Sequence, residues 1–416
     1  MTGNNHRPPL YRFGQNPNPT AWPSRLVILG ATGSIGTQTV DLVLRDPERL
    51  QVEALTAWSR VEELGEIVRQ LEEAGCAASP WIAIGDPEAH ERARLHPLLG
   101  RRLLPPGDAG VLESAGLDSV DCVVNGLVGA AGLAPTLAAA GRGRRIALAN
   151  KEALVMGGDL VREAATAHGA EIIPVDSEHS ALAQCLTGRQ PEELERLILT
   201  ASGGPLRTWT TERMNRATRA EVLAHPTWEM GPKISVDSAT LMNKGLEIIE
   251  AHVLFGVPYA EIDVVVHPGS IIHSLALFQD GAMMAQLGQP DMRVPLLYAI
   301  SGERHEPLKT ERLDLAGLGA LHFEAPDDER FPCLNLARQA GEEGGVMTVG
   351  LNAANEVAVE AFLKDRISYP DIHTIIASTL DGLEPAAVTD LDHALSIDTW
   401  ARQKAAQCLT VQGRGA

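Results

Sequence analysis

The sequence has few cysteines and no long apolar run, and both shortages limit where the protein works. Its five cysteines are an odd number, widely spaced and without a CxxC pair, which argues against a disulfide framework or a thiolate metal site. In 416 residues no apolar run approaches the ~18 residues of a membrane span. The first 24 residues also lack the apolar centre of a signal peptide. We therefore expect a protein of the reducing cytoplasm.

Basic residues are scarce relative to acidic ones. The chain has 35 lysines and arginines against 54 aspartates and glutamates, which gives a formal net charge of −19. A chain this acidic repels nucleic acid and anionic membranes, so we expect neither as a partner. A phosphate-bearing ligand must therefore be bound by a local pocket and not by the field of the whole protein.

Short apolar runs alternate with helical segments from Arg25 to the segment EIIPVDS. This alternation, with few hairpin signals, predicts an α/β fold in which helices cover a parallel, Rossmann-like sheet. Later apolar runs suggest an α+β domain with mostly antiparallel strands, and the last part of the chain is helical in pattern. The predicted divisions are a flexible tail over 1–24, a Rossmann-like domain over 25–175, an α+β catalytic domain over 176–301 with a mobile lid over 202–232, a linker over 302–332 and a helical domain over 333–416.

Three glycines mark the turn between the first strand and the first helix. Gly30, Gly33 and Gly36 lie in LVILGATGSIGTQTV, where glycines let the backbone approach a pyrophosphate that the helix N-terminus attracts. The GxxGxxG spacing alone is a weak signal, and a tight turn without a ligand is the alternative, but the strand–loop–helix context favours a dinucleotide.

The second strand is followed by Ser59 and Arg60 instead of an acid. A hydroxyl and a cation suit a 2′-phosphate, so NADPH is favoured over NADH.

Polar residues end two later strands of the predicted sheet. Asn150, Lys151 and Glu152 follow one strand, where they either face the nicotinamide end of the cofactor or form a solvated turn. Asp176 and Glu178 follow another, and residues two apart project to one side of an extended chain. Crowded carboxylates repel each other unless a cation lies between them, and hard oxygen ligands suit Mg²⁺ or Mn²⁺. The sequence therefore predicts a divalent metal site.

The segment LMNKGLEIIE supplies further groups of the same kind. Asn243, Lys244 and Glu247 share one helix face because of their i, i+1, i+4 spacing. Together with the preceding Ser238, these side chains are able to hold a phosphate and to add a third oxygen ligand to the metal site. An exposed Lys244–Glu247 pair is the alternative. The surrounding apolar residues and the neighbouring lid favour the ligand site.

Eight motifs together resemble one enzyme family. In chain order they are GATGSIG, ANKE, PVDSEHSA, ASGGP, HPTWEMGPKISVDSATLMNKGLEIIEA, VHPGSIIHS, QLGQPDMR and LNAANE. From about Arg25 to Arg402 the chain resembles the 1-deoxy-D-xylulose 5-phosphate reductoisomerase family. The resemblance implies an NADPH- and metal-dependent homodimer that rearranges and reduces this sugar phosphate to 2-C-methyl-D-erythritol 4-phosphate, in the non-mevalonate pathway to isoprenoid precursors.

The resemblance also implies roles for individual residues. NADPH would be bound by Thr32, Gly33, Ser34, Ile35, Asn150, Glu152 and Gly231, beside the Ser59 and Arg60 already noted. The divalent metal would be bound by Asp176, Glu178 and Glu247. The substrate would be held by Lys151, Ser177, Glu178, Ser202, His225, Ser238, Asn243, Lys244 and Glu247, with Trp228 closing over it. The implied catalytic residues are Lys151, Asp176, Glu178 and Glu247, with Lys151 and Glu178 as candidates for proton transfer.

Some positions depart from the family pattern: Thr227, Glu229 and Gly269 replace the commoner residues, and so does the segment after the second strand. Trp58, Ser59 and Arg60 follow the second strand, where a glycine, a basic residue and an asparagine are usual, so NADPH preference depends on Arg60 reaching the 2′-phosphate. Two other interpretations remain: an NADPH-dependent dehydrogenase of the homoserine or semialdehyde type, and a dinucleotide-sensing protein without catalysis. Neither needs three metal carboxylates, so these residues favour the reductoisomerase.

Overall fold

The computed structural model of the chain describes residues 9–14, 20–227 and 230–412. The strands in these ranges are β1 (Ser24–Leu29), β2 (Leu50–Ala57), β3 (Trp81–Ile84), β4 (Cys122–Asn125), β5 (Arg145–Leu148), β6 (Glu171–Pro174), β7 (Leu194–Ala201), β8 (Ile262–Val266), β9 (Ile272–Phe278) and β10 (Met283–Leu287). The first helices are α1 (Ser34–Arg45), α2 (Val61–Glu73), α3 (Pro87–Leu95), α4 (Asp108–Ala115), α5 (Leu133–Ala140), α6 (Glu152–His168) and α7 (Ser177–Leu186). The later ones are α8 (Thr211–Met214), α9 (Arg219–Leu223), α10 (Pro232–Ala239), α11 (Met242–Phe255), α12 (Arg293–Ile300), α13 (Leu315–Leu318), α14 (Cys333–Glu343), α15 (Val346–Leu363), α16 (Asp371–Leu380) and α17 (Leu391–Gln412). In this part of the chain no helix combines the length and the apolar character that a membrane span requires.

Strands β1 to β6 form a parallel sheet in the order β3-β2-β1-β4-β5-β6. The central strand β4 is buried along its whole length, because helices cover both faces of such a sheet. The strand order reverses between β1 and β4, and ligands of doubly wound sheets bind at the carboxyl ends of the strands beside that point. The predicted Rossmann-like sheet is confirmed.

The glycine loop between β1 and α1 has the backbone that its sequence predicts. Gly30 has a φ of +80°, which favours glycine, and its N–H donates to Thr56 Oγ1 at 2.9 Å. A Cβ atom on Gly36 would lie only 2.2 Å from the Gly30 carbonyl oxygen. Glycine at 36 therefore lets α1 start directly over the end of β1.

A second sheet follows in the order β10-β9-β7-β8. Strands β9 and β10 pair antiparallel, as do β7 and β9, whereas β7 and β8 pair parallel. The prediction of mostly antiparallel strands is therefore correct for two of these three pairings. Helix α7 packs against β9 and β10, and α11 packs against α6 and α14. These helices bring the second sheet close to the carboxyl ends of β5 and β6.

The last part of the chain is helical, as predicted. Helix α15 is buried over most of its length, and it packs against α14, α16 and α17 and also against α6. Helix α12 instead joins the core of the first sheet, where Leu296 and Ile300 are buried with Ile28. The helical part therefore contacts α6, α10 and α11, whereas α12 packs against α1, α7, β5 and β6.

The segments predicted to be irregular contain more structure than expected. The predicted lid includes α8 and α9, and Thr218 and Glu221 form a capping box at the start of α9. Within the predicted linker, Glu324 pairs with Val266 at the edge of β8. In the predicted flexible tail, Tyr11 is buried, and its hydroxyl donates to the Ala183 carbonyl at 2.9 Å. Trp228 of the predicted lid lies outside the described residues.

Candidate active site

The carboxyl ends of β5 and β6 and the first turns of α11 meet at one place. Lys151 follows β5 and precedes α6, and Asp176 follows β6 and precedes α7. Glu247 lies on α11 and is fully buried. Strand ends of a parallel sheet share one edge, so the first two groups are neighbours for topological reasons. Helix α11 then adds residues from a distant part of the chain.

Three carboxylates form the centre of this site. One oxygen each from Asp176, Glu178 and Glu247 lies within 4.8 Å of the other two. The extended-chain argument for the first pair is wrong, because β6 ends at Pro174 and Ser177 already begins α7. Asp176 is the residue before the helix and Glu178 lies in its first turn. The turn of the helix, and not strand alternation, brings these acids together.

Two lysines neutralise the carboxylates. The amine of Lys151 lies 2.5 Å from Asp176 Oδ2 and 3.1 Å from Glu247 Oε1, and it donates to Asn243 Oδ1 at 2.8 Å. The amine of Lys244 lies 2.8 Å from Glu178 Oε1 and also contacts Glu247. The interpretation of Lys244 and Glu247 as an exposed surface pair is wrong, because both side chains are buried.

The environment pushes the carboxyl pKa values apart. Burial alone would raise the pKa of Glu178, but Lys244 beside it lowers that pKa to about 2. Burial, and then the charge of Glu178, raise the pKa of Glu247 to about 7. The pKa of Lys151 lies well above its usual value: burial disfavours the charged amine, but Asp176 and Glu247 outweigh burial. Three carboxylates beside two lysines leave one negative charge uncompensated when all five groups are ionised.

This donor set fits a hard divalent cation. Three carboxylate oxygens from Asp176, Glu178 and Glu247 converge, and oxygen ligands of this kind suit Mg²⁺ or Mn²⁺. A cation would also offset the burial and the charge of Glu178, which together raise the pKa of Glu247.

A buried histidine–glutamate pair contacts the backbone of Glu247. His179 Nε2 lies 2.8 Å from the Glu247 carbonyl oxygen, and His179 Nδ1 lies 3.2 Å from Glu250 Oε2. Burial lowers the pKa of His179 to about 4 and raises that of Glu250 well above its usual value. A neutral imidazole that donates from Nε2 accepts at Nδ1, for which a protonated Glu250 is the matching donor. Sequence reasoning missed this pair, although Glu250 follows Glu247 by three residues on one helix face.

A cavity of about 930 Å³ opens over the carboxylates. The predicted substrate residues that line it are Lys151, Ser177, Glu178, Ser202, His225, Ser238, Asn243, Lys244 and Glu247. Ser202 Oγ lies 2.9 Å from His225 Nε2, so these two residues from opposite ends of the predicted lid meet. The cavity thus offers hydroxyl, amide, imidazole and ammonium groups in addition to the acids.

The triplet VDS occurs twice in the sequence, at 175–177 and at 236–238. The first copy connects β6 to the first residue of α7, whereas the second lies inside α10. Asp237 in that copy is buried away from the cavity, and Ser238 lines the cavity.

The predicted cofactor residues separate into two groups. Ser34, Ile35 and Gly231 line the cavity, and no side chain of the described residues caps the N-terminus of α1. Asn150 and Glu152 are instead buried. The amide of Asn150 donates to the carbonyl oxygens of Leu127 and Gly129, and Glu152 accepts from Lys233. Thr32 is buried and Gly33 is the residue before α1.

Ser59 and Arg60 lie outside this cavity, after β2. The guanidinium of Arg60 is about half exposed and lies 3.0 Å from Glu63 Oε2. The Ser59 carbonyl oxygen accepts from Arg92 Nη2 at 3.2 Å. An exposed pair of this kind contributes little to stability, so Arg60 can exchange Glu63 for a ligand phosphate at small cost.

Replacing Arg60 with alanine tests its predicted contact with the 2′-phosphate. We expect NADPH affinity to fall about tenfold, as for loss of one charge-assisted hydrogen bond, while NADH affinity stays unchanged. Binding titrations with both cofactors measure this difference. Arg69→Ala removes another exposed arginine of α2 and serves as the control. An equal loss of affinity for both cofactors would show that Arg60 does not contact the 2′-phosphate.

Known protein families match the chain over most of its length. A model of 1-deoxy-D-xylulose 5-phosphate reductoisomerase matches residues 26–158. Models of the C-terminal domain of the same enzyme match residues 172–255 and 287–404. A Synechococcus protein with this name is 47% identical over 385 residues, which are 92% of this chain and 96% of the relative. This chain belongs to the 1-deoxy-D-xylulose 5-phosphate reductoisomerase family.

Other members of the reductoisomerase family agree. The Burkholderia multivorans protein is 47% identical over 390 residues, 92% of this chain and 96% of its own. A solved reductoisomerase structure in complex with NADPH, fosmidomycin and magnesium is 41% identical, with a TM-score of 0.87 over 94% of this chain and 100% of that one. The Zymomonas mobilis enzyme in complex with NADPH is 40% identical, with a TM-score of 0.85 over 93% and 99%. The predicted family, fold class and enzyme activity are confirmed, and the two alternative interpretations are not supported.

Proposed function

We propose that this chain converts 1-deoxy-D-xylulose 5-phosphate to 2-C-methyl-D-erythritol 4-phosphate with NADPH and a divalent cation. The convergence of Asp176, Glu178 and Glu247 beside two lysines carries this proposal, because it lies in the cavity that Ser34 and Ile35 of the glycine loop also line. A nucleotide site and a hard-metal site in one cavity suit a reaction that combines rearrangement with reduction. The NADPH, fosmidomycin and magnesium in the related structure support the same pair of cofactors here.

The carboxylates would hold the cation, and the start of α1 would hold NADPH. A divalent cation bound there would polarise the substrate's oxygens. Bound NADPH would supply the hydride. The uncapped N–H groups at the start of α1 suit the pyrophosphate of that cofactor.

Lys151 contributes positive charge to the proposed reaction. Its amine lies among oxygens of Asp176, Glu247 and Asn243, and its pKa is raised well above the usual value although burial alone would lower it. A lysine held protonated in this way is a hydrogen-bond donor and a poor base. Lys151 therefore stabilises negative charge on the substrate's oxygens. Lys151 was predicted to take part in proton transfer, and this assignment allows it to donate a proton but not to accept one.

Five polar side chains that line the cavity, here called the phosphate wall, would bind the substrate phosphate. Ser202, His225, Ser238, Asn243 and Lys244 offer hydroxyl, imidazole, amide and ammonium groups to the cavity. Burial lowers the pKa of His225, so the neutral imidazole offers a single N–H donor near neutral pH. Lys244 supplies the positive charge for the phosphate.

We also propose that the protein works as a homodimer in the cytoplasm, with the domain divisions predicted from the sequence. The described cysteines are all free thiols, which suits a reducing compartment. Met283, Met284 and Leu287 are exposed on the edge strand β10, and an apolar sheet edge suits burial against a second copy.

Product analysis tests the proposed reaction. With 1-deoxy-D-xylulose 5-phosphate, NADPH and Mg²⁺, we expect one 2-C-methyl-D-erythritol 4-phosphate per NADPH oxidised, measured by mass spectrometry and absorbance. Homoserine and aspartate semialdehyde with the matching nicotinamide cofactor serve as comparison substrates and should not react. Turnover of a comparison substrate without turnover of the sugar phosphate would overturn the proposal.

Metal binding should depend on pH because the ligands must be deprotonated. The pKa of Glu247 is raised by burial to about 7, so this carboxylate is charged above that pH and protonated below it. At about pH 8, Mg²⁺ at about 100 times its Kd should add about 2.7 kcal/mol to the free energy of unfolding. At about pH 6 and the same Mg²⁺ concentration the gain should shrink. Thermal melts with Mg²⁺ or a chelator measure both values, and an equal gain at the two pH values would contradict the assignment of Glu247.

A further inference from the structure

Four polar side chains connect three separate parts of the chain beneath the cavity. Lys233 Nζ donates to Glu152 Oε1 at 2.8 Å and to Asp237 Oδ2 at 2.9 Å. Asp237 Oδ1 accepts from Asn355 Nδ2 at 2.8 Å. Glu152, Asp237 and Asn355 are buried, and the Lys233 side chain is only 16% exposed. The four residues, here called the Lys233 network, join α6, α10 and α15.

Two members of the Lys233 network, Glu152 and Asp237, each adjoin a residue of the candidate active site. Lys151, whose amine contacts the metal carboxylates, directly precedes Glu152. Ser238, which lines the phosphate wall, directly follows Asp237. The network therefore connects the backbone at Lys151, beside the metal carboxylates, to the backbone at Ser238, in the phosphate wall.

Helix α10 depends on such contacts for its position. It has only eight residues, and no described side chain caps its N-terminus at Gly231. Helices shorter than about 12–15 residues are marginal by themselves in water. Val236 and Ala239 anchor it through packing in the apolar core, but apolar contacts are not directional. The hydrogen bonds of Lys233 and Asp237 are directional, and they therefore fix the orientation of α10.

Burying these charges would be costly unless they were paired with good geometry. One ammonium faces two carboxylates, and the Asn355 amide supplies a further donor to Asp237. Removing Lys233 would leave two buried acids without a cation, so α10 would move to hydrate them. The pairing thus fixes α10 in one position relative to α6.

We propose that Lys233 and Asp237 are positioning residues, which hold Ser238 at a fixed distance from Lys151 so that substrate bound at the phosphate wall reaches the metal carboxylates. The kinetic part of this inference rests on the proposed function. The structural part, the anchoring of α10 to α6, does not.

Hydrogen exchange of the ligand-free protein tests the anchoring. In Lys233→Met, backbone amides of α10 should exchange at least about tenfold faster than in the wild type. Arg162→Met is the matched control, because Arg162 is also buried and pairs with Asp159 at 2.5 Å on α6. That variant should lose stability and keep the wild-type exchange rates in α10. Unchanged exchange of α10 in Lys233→Met would overturn the proposal, whether or not the protein turns over the sugar phosphate.

Kinetics of the same variants test the consequence for catalysis. Below the melting temperature of each variant, Lys233→Met should lower kcat about a hundredfold, as expected for a misplacement near 1 Å, and should raise the KM for the sugar phosphate much less. Arg162→Met should keep kcat within about twofold of the wild type. If Lys233→Met does not fold, Asp237→Asn is judged by the same two measurements. A folded variant with wild-type kcat would show that the network serves stability alone and would overturn the positioning role.

Discussion

Replacing Glu247 with glutamine is expected to lower kcat about a thousandfold, which corresponds to about 4 kcal/mol of transition-state stabilisation. Glu247 is the fully buried member of the three-carboxylate cluster, and both lysines of the cluster contact it. An amide keeps the shape of the side chain but removes the negative charge that a divalent cation requires. The substitution should therefore impair catalysis by loss of the metal.

Two measurements separate loss of the metal from loss of the fold. Mg²⁺ should stabilise the wild type in a thermal melt and should stabilise Glu247→Gln much less. Glu261→Gln changes an exposed glutamate beyond the end of α11 and should leave both kcat and the Mg²⁺ effect unchanged. Wild-type turnover in Glu247→Gln would show that Glu247 is not a ligand of the metal.

Replacing Lys244 with methionine is expected to raise the KM for the sugar phosphate about a hundredfold, because a charge-assisted hydrogen bond to phosphate contributes up to about 3 kcal/mol. Lys244 is buried beside Glu178 and Glu247 and lines the cavity next to Ser238 and Asn243. With a cation on the acids, its amine is free to turn toward the phosphate. A change mainly in KM indicates lost binding energy in the ground state.

Inorganic phosphate provides an independent test of this role. As a competitive inhibitor it should act on the wild type and on Lys309→Met, in which an exposed lysine is replaced, and it should act much more weakly on Lys244→Met. If phosphate inhibits Lys244→Met as strongly as the wild type, Lys244 is not the phosphate ligand.

Much of the fold follows from local patterns. The alternation of apolar runs and helices predicts the parallel sheet. In the glycine loop, Gly30 has the positive φ and Gly36 has the close packing that such a loop requires. The tail was harder to predict, because Tyr11 becomes buried through contacts with Ala183 and Leu254. Such contacts join residues far apart in sequence and have no local signal.

The sequence predicts that the three acids lie together, as they do, but one step of that reasoning is wrong. Asp176 and Glu178 converge at the start of a helix, where the strand has already ended. The end of a strand and the first turn of a helix differ by one or two residues, which sequence patterns do not resolve. Residues 236–238 repeat the sequence VDS but lie inside α10, where Asp237 contacts Lys233 and Asn355.

The groups behind the site were not predictable from spacing. His179 and Glu250 contact each other across 71 positions of sequence, and Asn355 reaches Asp237 across 118. A lone histidine or asparagine is most often a packing residue, so neither residue type indicates such a contact. Only the packing of α7, α11, α10 and α15 brings these pairs together.

The most direct test of the account is NADPH oxidation by the metal-free enzyme in the presence of 1-deoxy-D-xylulose 5-phosphate, before and after Mg²⁺ or Mn²⁺ is added. We predict no oxidation before the addition, rapid oxidation after it, and a return to none when a chelator removes the cation. Oxidation at the same rate throughout, or none after the metal is added, would contradict the central claim that the Asp176, Glu178 and Glu247 cluster is the metal centre of a reductoisomerase.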